Sequence, residues 1–192
     1  MAATKRPQSA SSLVKGLMKN TYQIDPAHSA AHFSVRHLMV SNVRGTFSGV
    51  TGTLTYDSSD PGSAQIDATI DASTINSGDE KRDGHLKSPD FLDVAQFPAI
   101  AFKSKRFEKN GDSEFKVTGD LTIHGVTREV VLKAEDVSAE TKDPWGLTRF
   151  GATAKTKIDR GQFGLVWNAA LETGGVVVGE EVKLEFDLEF TR

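Results

Sequence analysis

The chain has 192 residues, with 23 Lys and Arg against 26 Asp and Glu and a net charge of −3. That length suits one domain with a single core, and the mild acidity argues against a nucleic-acid partner, which selects a basic surface. There is no cysteine, which excludes disulfides, thiolate nucleophiles and sulfur-ligated metals.

Residues 1–20 carry Lys5, Arg6, Lys15 and Lys19 and no acid, so +4 precedes a body (residues 21–192) that carries −7. This basic extension reads as flexible chain or a short helix. It either docks on its own domain, stays unstructured, or makes a peripheral contact with an anionic membrane surface. Its longest apolar runs are the pairs Leu13-Val14 and Leu17-Met18, whereas an export signal needs roughly seven to fifteen apolar residues. Nor does any run approach the roughly 18 apolar residues that span a bilayer. The expectation is a soluble, cytoplasmic protein.

From residue 30 onward the dominant signal is a period of two. In "AHFSVRH", Phe33, Val35 and His37 share one face, while His32, Ser34 and Arg36 share the other. His28 and His32 are four apart, but on a strand that spacing does not converge, and a metal site needs convergent ligands with a second shell. No metal is expected. "VRGTFSGVTGTLTY" is a strand whose parity slips between Phe47 and the trio Val50, Leu54 and Tyr56, with Gly49 as the natural bulge. "AQIDATI" sets Ala64, Ile66, Ala68 and Ile70 against polar neighbours.

The stretch "NSGDEKRDGHLKSPDFLDVAQFP" breaks the pattern. It reads as a short charged helix with Ser77 as N-cap and Gly84 weakening or ending it. Leu86, Phe91, Leu92, Val94 and Phe97 follow, too many apolar groups for a solvated loop, with Pro89 and Pro98 stiffening the return. Two readings fit: an acid–base site of His85 with Asp83 or Asp90, and Ser88 as nucleophile, or a lid whose charges face water.

Strand patterns then resume. Ile100 and Phe102, then Phe115, Val117, Gly119, Leu121 and Ile123, face inward before a tight turn at His124. Val130, Leu132 and Ala134 follow. Trp145 opens the next strand, with Phe150, Ala152, Ala154, Thr156 and Ile158 inward. Phe163, Leu165 and Trp167 keep strand spacing, and Trp167 either seals a barrel end or lines a pocket. The last strand places Val182, Leu184, Phe186, Leu188 and Phe190 on one face.

Eight or nine strands with short polar turns indicate an all-β antiparallel barrel or sandwich. Small inward residues (Ala64, Ala68, Gly119, Ala134, Ala152, Ala154) favour a hollow interior, which an eight-stranded barrel is wide enough to hold. The competing reading is a solid core in which these residues face bulky partners such as Phe102 or Phe186.

The runs "YQIDPAHSAAHFSVRHLMVSNVRGTFSGVTGTL", "KRDGHLKSPDFLDVAQFPAIAF", "VTGDLTIHGVTREV" and "IDRGQFGLVWN" occur in order from about Tyr22 to Arg192. Together they closely resemble the YceI-like lipid-binding family. The resemblance implies a lipocalin-like, eight-stranded antiparallel barrel around an elongated apolar pocket. It also implies a long isoprenoid or similar amphiphile as ligand (isoprenoid quinones included), frequent homodimers and no settled catalytic activity. Many relatives carry a secretory leader where this chain has its basic extension.

The candidate ligand-binding residues are then Phe33, Val35, His37 and Leu38, with Phe47, Leu54, Ile66, Ala68 and Ile70 from the strands that follow. The lid contributes His85, Phe91 and Phe97. The second half contributes Ile100, Phe102, Val117, Leu121, Phe150, Ala152, Trp167, Leu184 and Phe186. His37 or His85 would hold the head group. The leading expectation is a non-enzymatic carrier or store with no cofactor beyond its lipid. The alternatives are an enzyme acting on the same lipid through His85 and Asp83 or Asp90, and a structural module with a filled barrel.

Overall fold

A computed structural model describes residues 19–57, 59–172 and 174–192; the reading of a basic extension falls almost wholly on residues 1–18, outside the described residues. The strands are β1 (Asn20–Ile24), β2 (Ala30–His37), β3 (Ser41–Phe47), β4 (Val50–Tyr56), β5 (Gln65–Asp71), β6 (Ala99–Lys109), β7 (Phe115–Ile123), β8 (Val126–Glu135), β9 (Thr141–Lys142), β10 (Thr148–Asp159) and β11 (Val178–Thr191). One helix, α1 (Glu80–Lys87), lies between β5 and β6.

The strands close into a barrel of eight positions, all antiparallel. β1 and β2 pair in turn with the same edge of β11, Ile24 opposite Phe190 and Val35 opposite Val182. They are two halves of one bent wall strand. β3 and β4 are likewise halves of the next, broken at Ser48-Gly49, where Gly49 turns the chain with φ of 70°. β5, β6, β7 and β8 follow as neighbours, and β10 pairs with β8 and β11 to close the ring. The β10–β11 seam runs from Arg149 opposite Thr191 to Asp159 opposite Glu181. Closure pairs most of the strand edges, the usual hazard of a sheet; β3 keeps its outer edge, bridged at Thr46 to Asn76.

The alternation read from the sequence is what orients the walls. In β11, Val182, Leu184, Phe186 and Leu188 turn inward while Glu181, Lys183, Glu185 and Asp187 meet solvent. The β7–β8 turn is the tight one expected: His124 and Gly125 both have positive φ, 52° and 71°, the geometry that suits a two-residue hairpin turn.

Four local expectations are corrected. The N-cap of α1 is Asp79, whose carboxylate accepts from Arg82 N at 2.9 Å. Ser77 is unavailable for that role because its N–H and hydroxyl both donate to Asp83. Gly84 does not end the helix, which continues to Lys87. Trp145 opens no strand: Asp143 accepts the N–H groups of Trp145 and Leu147 and folds a turn that leaves the indole 82% exposed. Phe163 closes a 3-10 turn, Arg160–Phe163, capped by Asp159 and ended by Gly164, and Leu165 and Trp167 lie in irregular chain after it. β1 and the two-residue β9 were not anticipated.

Candidate functional site

The barrel is hollow. Its main chamber has a volume of about 510 Å³, a size that suits a small-molecule pocket. Several inward side chains on its wall, including Ile66, Phe102, Phe150 and Leu188, are only partly buried. They pack against the core on one side and leave part of their surface to the lumen. An apolar space of this kind stays dry and loses dispersion contacts unless an apolar guest fills it.

The small inward residues explain part of the space. Ala68, Ala134, Ala152 and Ala154 all line the chamber. Gly119 does not create space: a Cβ there would come within 2.5 Å of the Phe102 ring, which already fills the gap. Ala64 is buried but lies before β5 and lines no part of the chamber. The hollow and solid-core readings therefore each hold at different positions.

A second cavity of about 120 Å³ occupies the other end of the barrel. Its wall is mostly apolar, with His32 and Arg160 as the polar residues among those that line it, and draws on β2, β3, β5, β6, β7, β10 and β11 together with Leu86, Phe91 and Leu92 from the α1 segment. The charged stretch is thus a cover, as expected. The end it closes is the one opposite the polar rim of the main chamber.

That rim gathers Asn20, Tyr56, Ser138 and Glu140. Glu140 comes from the crossing between β8 and β10. It accepts from the hydroxyl of fully buried Tyr22 and from Arg192 Nη2 at 3.2 Å. The Tyr22 hydrogen bond, more than Arg192, draws the Glu140 carboxyl below its ordinary range. Burial, reinforced by the charges of Glu140 and Asp57, raises the Tyr56 phenol. Tyr56 is therefore a neutral hydroxyl at the mouth, able to donate to a carbonyl or alcohol oxygen.

Of the residues picked out from sequence, Leu54, Ile66, Ala68, Phe102, Val117, Phe150 and Ala152 line the main chamber. Phe33, Val35, Phe47, Phe91 and Leu184 line the small cavity. Ile70, Ile100, Leu121 and Phe186 line both. His37, Leu38, His85, Phe97 and Trp167 line neither. Leu38 and Met39 form the β2–β3 turn with positive φ, held by two bonds from Arg36 to Met39 O. Phe97 packs on the His124 ring at 4.7 Å, outside the lumen.

His85 does meet a carboxylate, Asp90, at 2.8 Å, and its ring is wedged edge-on against Phe91 and Trp167. The rest of the acid–base constellation does not assemble. Asp83 is bonded to Ser77, and the Ser88 hydroxyl donates to the His85 backbone carbonyl. Neither cavity reaches His85.

Two clusters were not visible in the sequence. Arg160 is 5% exposed and lines the small cavity, but only its carbon stem does so. Its guanidinium is directed to the carbonyls of Gly179, Val178 and Leu165, tying the 165–179 segment to β11. Asp25, His28 and Glu189 approach one another closely enough to suggest cation ligands. Arg149 already fills that position, donating to Asp25, Glu189 and Asp143. Its hydrogen bond, ahead of that from His28, lowers the Asp25 carboxyl from 3.8 to about 2. The cluster is an ion-pair clasp over the β1–β2 break.

Fold and site together define a closed eight-stranded antiparallel barrel around an apolar chamber with a polar rim at one end. The model of the YceI-like domain matches residues 22–190. A UPF0312 protein of Staphylococcus aureus (strain N315) is 39% identical over 171 residues, covering 88% of this chain and 96% of its own length. The crystal structure of Burkholderia cenocepacia BcnA superposes with a TM-score of 0.73 at 22% identity, over 86% of this chain and 98% of that one. A polyisoprenoid binding domain from Saccharophagus degradans superposes with a TM-score of 0.63 at 16% identity, over 88% and 97%. The chain belongs to the YceI-like family, and its barrel is the fold expected from that resemblance.

Proposed function

We propose that this protein binds a long isoprenoid lipid, with the hydrocarbon in the main chamber and a polar head at the rim, and that it carries or stores the lipid without altering it. The observation that carries this reading is the apolar chamber of about 510 Å³ with polar groups gathered at one end. Each methylene moved from water into it contributes roughly 0.8 kcal/mol, so a chain of a few isoprene units binds with little help from polar contacts. The structural likeness to a domain named as polyisoprenoid binding supports isoprenoid over other lipids. The rim supports a head with a hydrogen-bond acceptor, such as a quinone carbonyl or an alcohol, placed at Tyr56 rather than at His37 or His85. For delivery, we propose that the +4 of residues 1–20 meets an anionic membrane surface and that the chain works as a homodimer.

Titration with a prenylated quinone and with squalene, a hydrocarbon without a head group, tests the assignment. Tyr56→Phe should weaken the quinone about fivefold, the worth of one hydrogen bond, and leave squalene unchanged. Equal losses for both ligands would show that Tyr56 acts by shape and not on a head group. Failure of the unaltered chain to bind either ligand would remove the lipid reading.

A further inference from the structure

We infer that Phe186 is a gate between the two cavities and sets the length of chain the barrel accepts. The inference rests on the lipid reading above and deepens it. Four side chains, Ile70, Ile100, Leu121 and Phe186, line both cavities and form the partition between them. Three of them are locked: Ile70, Ile100 and Leu121 are 7%, 8% and 3% exposed, β-branched or tightly packed. Phe186 differs, since it is only partly buried.

Its cross-strand neighbours explain why it has room to move. The register places Phe186 directly opposite Ala154 on β10 and opposite Ala31 on β2. Side chains directly opposite on a sheet are the ones that restrict one another, and on both sides of Phe186 they are single methyl groups. An aromatic ring flanked this way has space for another staggered rotamer, whereas a ring packed against large neighbours does not.

The far cavity suits what would arrive through such a gate. Its wall presents no polar surface to the lumen, and the donors of Arg160 are spent on backbone carbonyls. It matches the end of a hydrocarbon tail and offers nothing to a head group. A short isoprenoid fits in the main chamber with the gate shut. A longer one gains the extra burial of the far cavity only after Phe186 swings aside, so the work of opening is repaid only by added chain.

The test uses the full chain and free isoprenoid alcohols of increasing length: farnesol, geranylgeraniol and solanesol. Ala154→Leu should pin the ring; because Ala154 also lines the main chamber, the measured quantity is the solanesol-to-farnesol affinity ratio, which should fall about tenfold or more, the burial of a few methylenes. Phe186→Ala should join the cavities and move the preference the other way, raising the solanesol-to-farnesol affinity ratio above that of the unaltered chain. Phe186→Leu serves if the alanine variant does not fold. An unchanged length profile in Ala154→Leu and in the Phe186 variant, with all three alcohols still bound, overturns the gate while leaving the lipid reading intact. Absence of binding of any alcohol to the unaltered chain overturns both.

Discussion

Replacing Ala152 by tryptophan should nearly abolish lipid uptake while leaving the barrel folded. Ala152 lies on the β10 wall of the main chamber, opposite Leu188 on β11. Its methyl group faces the chamber, so an indole can enter without displacing packed side chains, the usual cause of strain on enlarging a core residue. Once there, it occupies volume that the ligand needs. If it excludes about four methylenes, the loss is roughly 3 kcal/mol, or about a hundredfold in affinity. Thr153→Trp is the matched control, because successive residues of a strand face opposite sides and Thr153 bonds to Asp187 on the outer surface. It should bind lipid as the unaltered chain does. Isothermal titration with a prenylated quinone measures both variants. Normal uptake by Ala152→Trp would mean that the guest does not sit in this chamber.

The largest loss of stability from a single added methyl group should come from Gly52→Ala. Gly52 is in β4, paired with Ala68 on β5, and has φ of 149°, a conformation side chains rarely adopt. A Cβ built there would lie 2.2 Å from the carbonyl oxygen of Asp67 and 2.7 Å from the Ala68 Cα. Both obstacles are backbone, so relief requires β4 and β5 to move apart at the chamber wall. Backbone strain and forced overpacking each cost about 1–3 kcal/mol, which together suggest a loss of about 3 kcal/mol. For a domain of this size that corresponds to a drop in Tm of roughly 6–12 °C. Calorimetry of the two chains measures it, and a drop under about 2 °C would show that the two strands are not held as closely as the structure has them.

The comparison of sequence with structure divides along one physical line. Alternation determines which face of a strand is dry, and it was legible wherever a strand is long. β11 could be read residue by residue, and so could β10; in β7 the alternation fails at Thr118, which lies between inward Val117 and Gly119 and is buried as well. It was not legible in β1, where five residues hold only Tyr22 and Ile24 as buried positions. The parity slip at Gly49 was legible because a shift of one residue exchanges the faces. Alternation carries no information about which end of a barrel a residue reaches. The rim is assembled from Asn20, Tyr56, Ser138 and Glu140, far apart in the chain and brought together only by closure. In the sequence, His37 and His85 stand out as polar in their segments and point to a head-group role, yet they line neither cavity. The α1 segment was correctly read as a cover because its apolar residues needed a dry surface. Which opening it covers depends on the path of the chain after Pro98, and local pattern does not encode that path. The partition at Phe186 was hidden for a related reason: its freedom comes from Ala31 and Ala154, on two other strands, the first separated from it by most of the sequence.

Organic extraction of the purified protein, followed by mass spectrometry of the extract and of the intact protein under native conditions, shows whether the chamber holds a lipid. The expected result is an intact mass heavier than the bare chain by one long-chain lipid, with an isoprenoid recovered in the extract and lost from Ala152→Trp. A chain that is lipid-free as purified, and stays at its bare mass after incubation with a prenylated quinone, would contradict it.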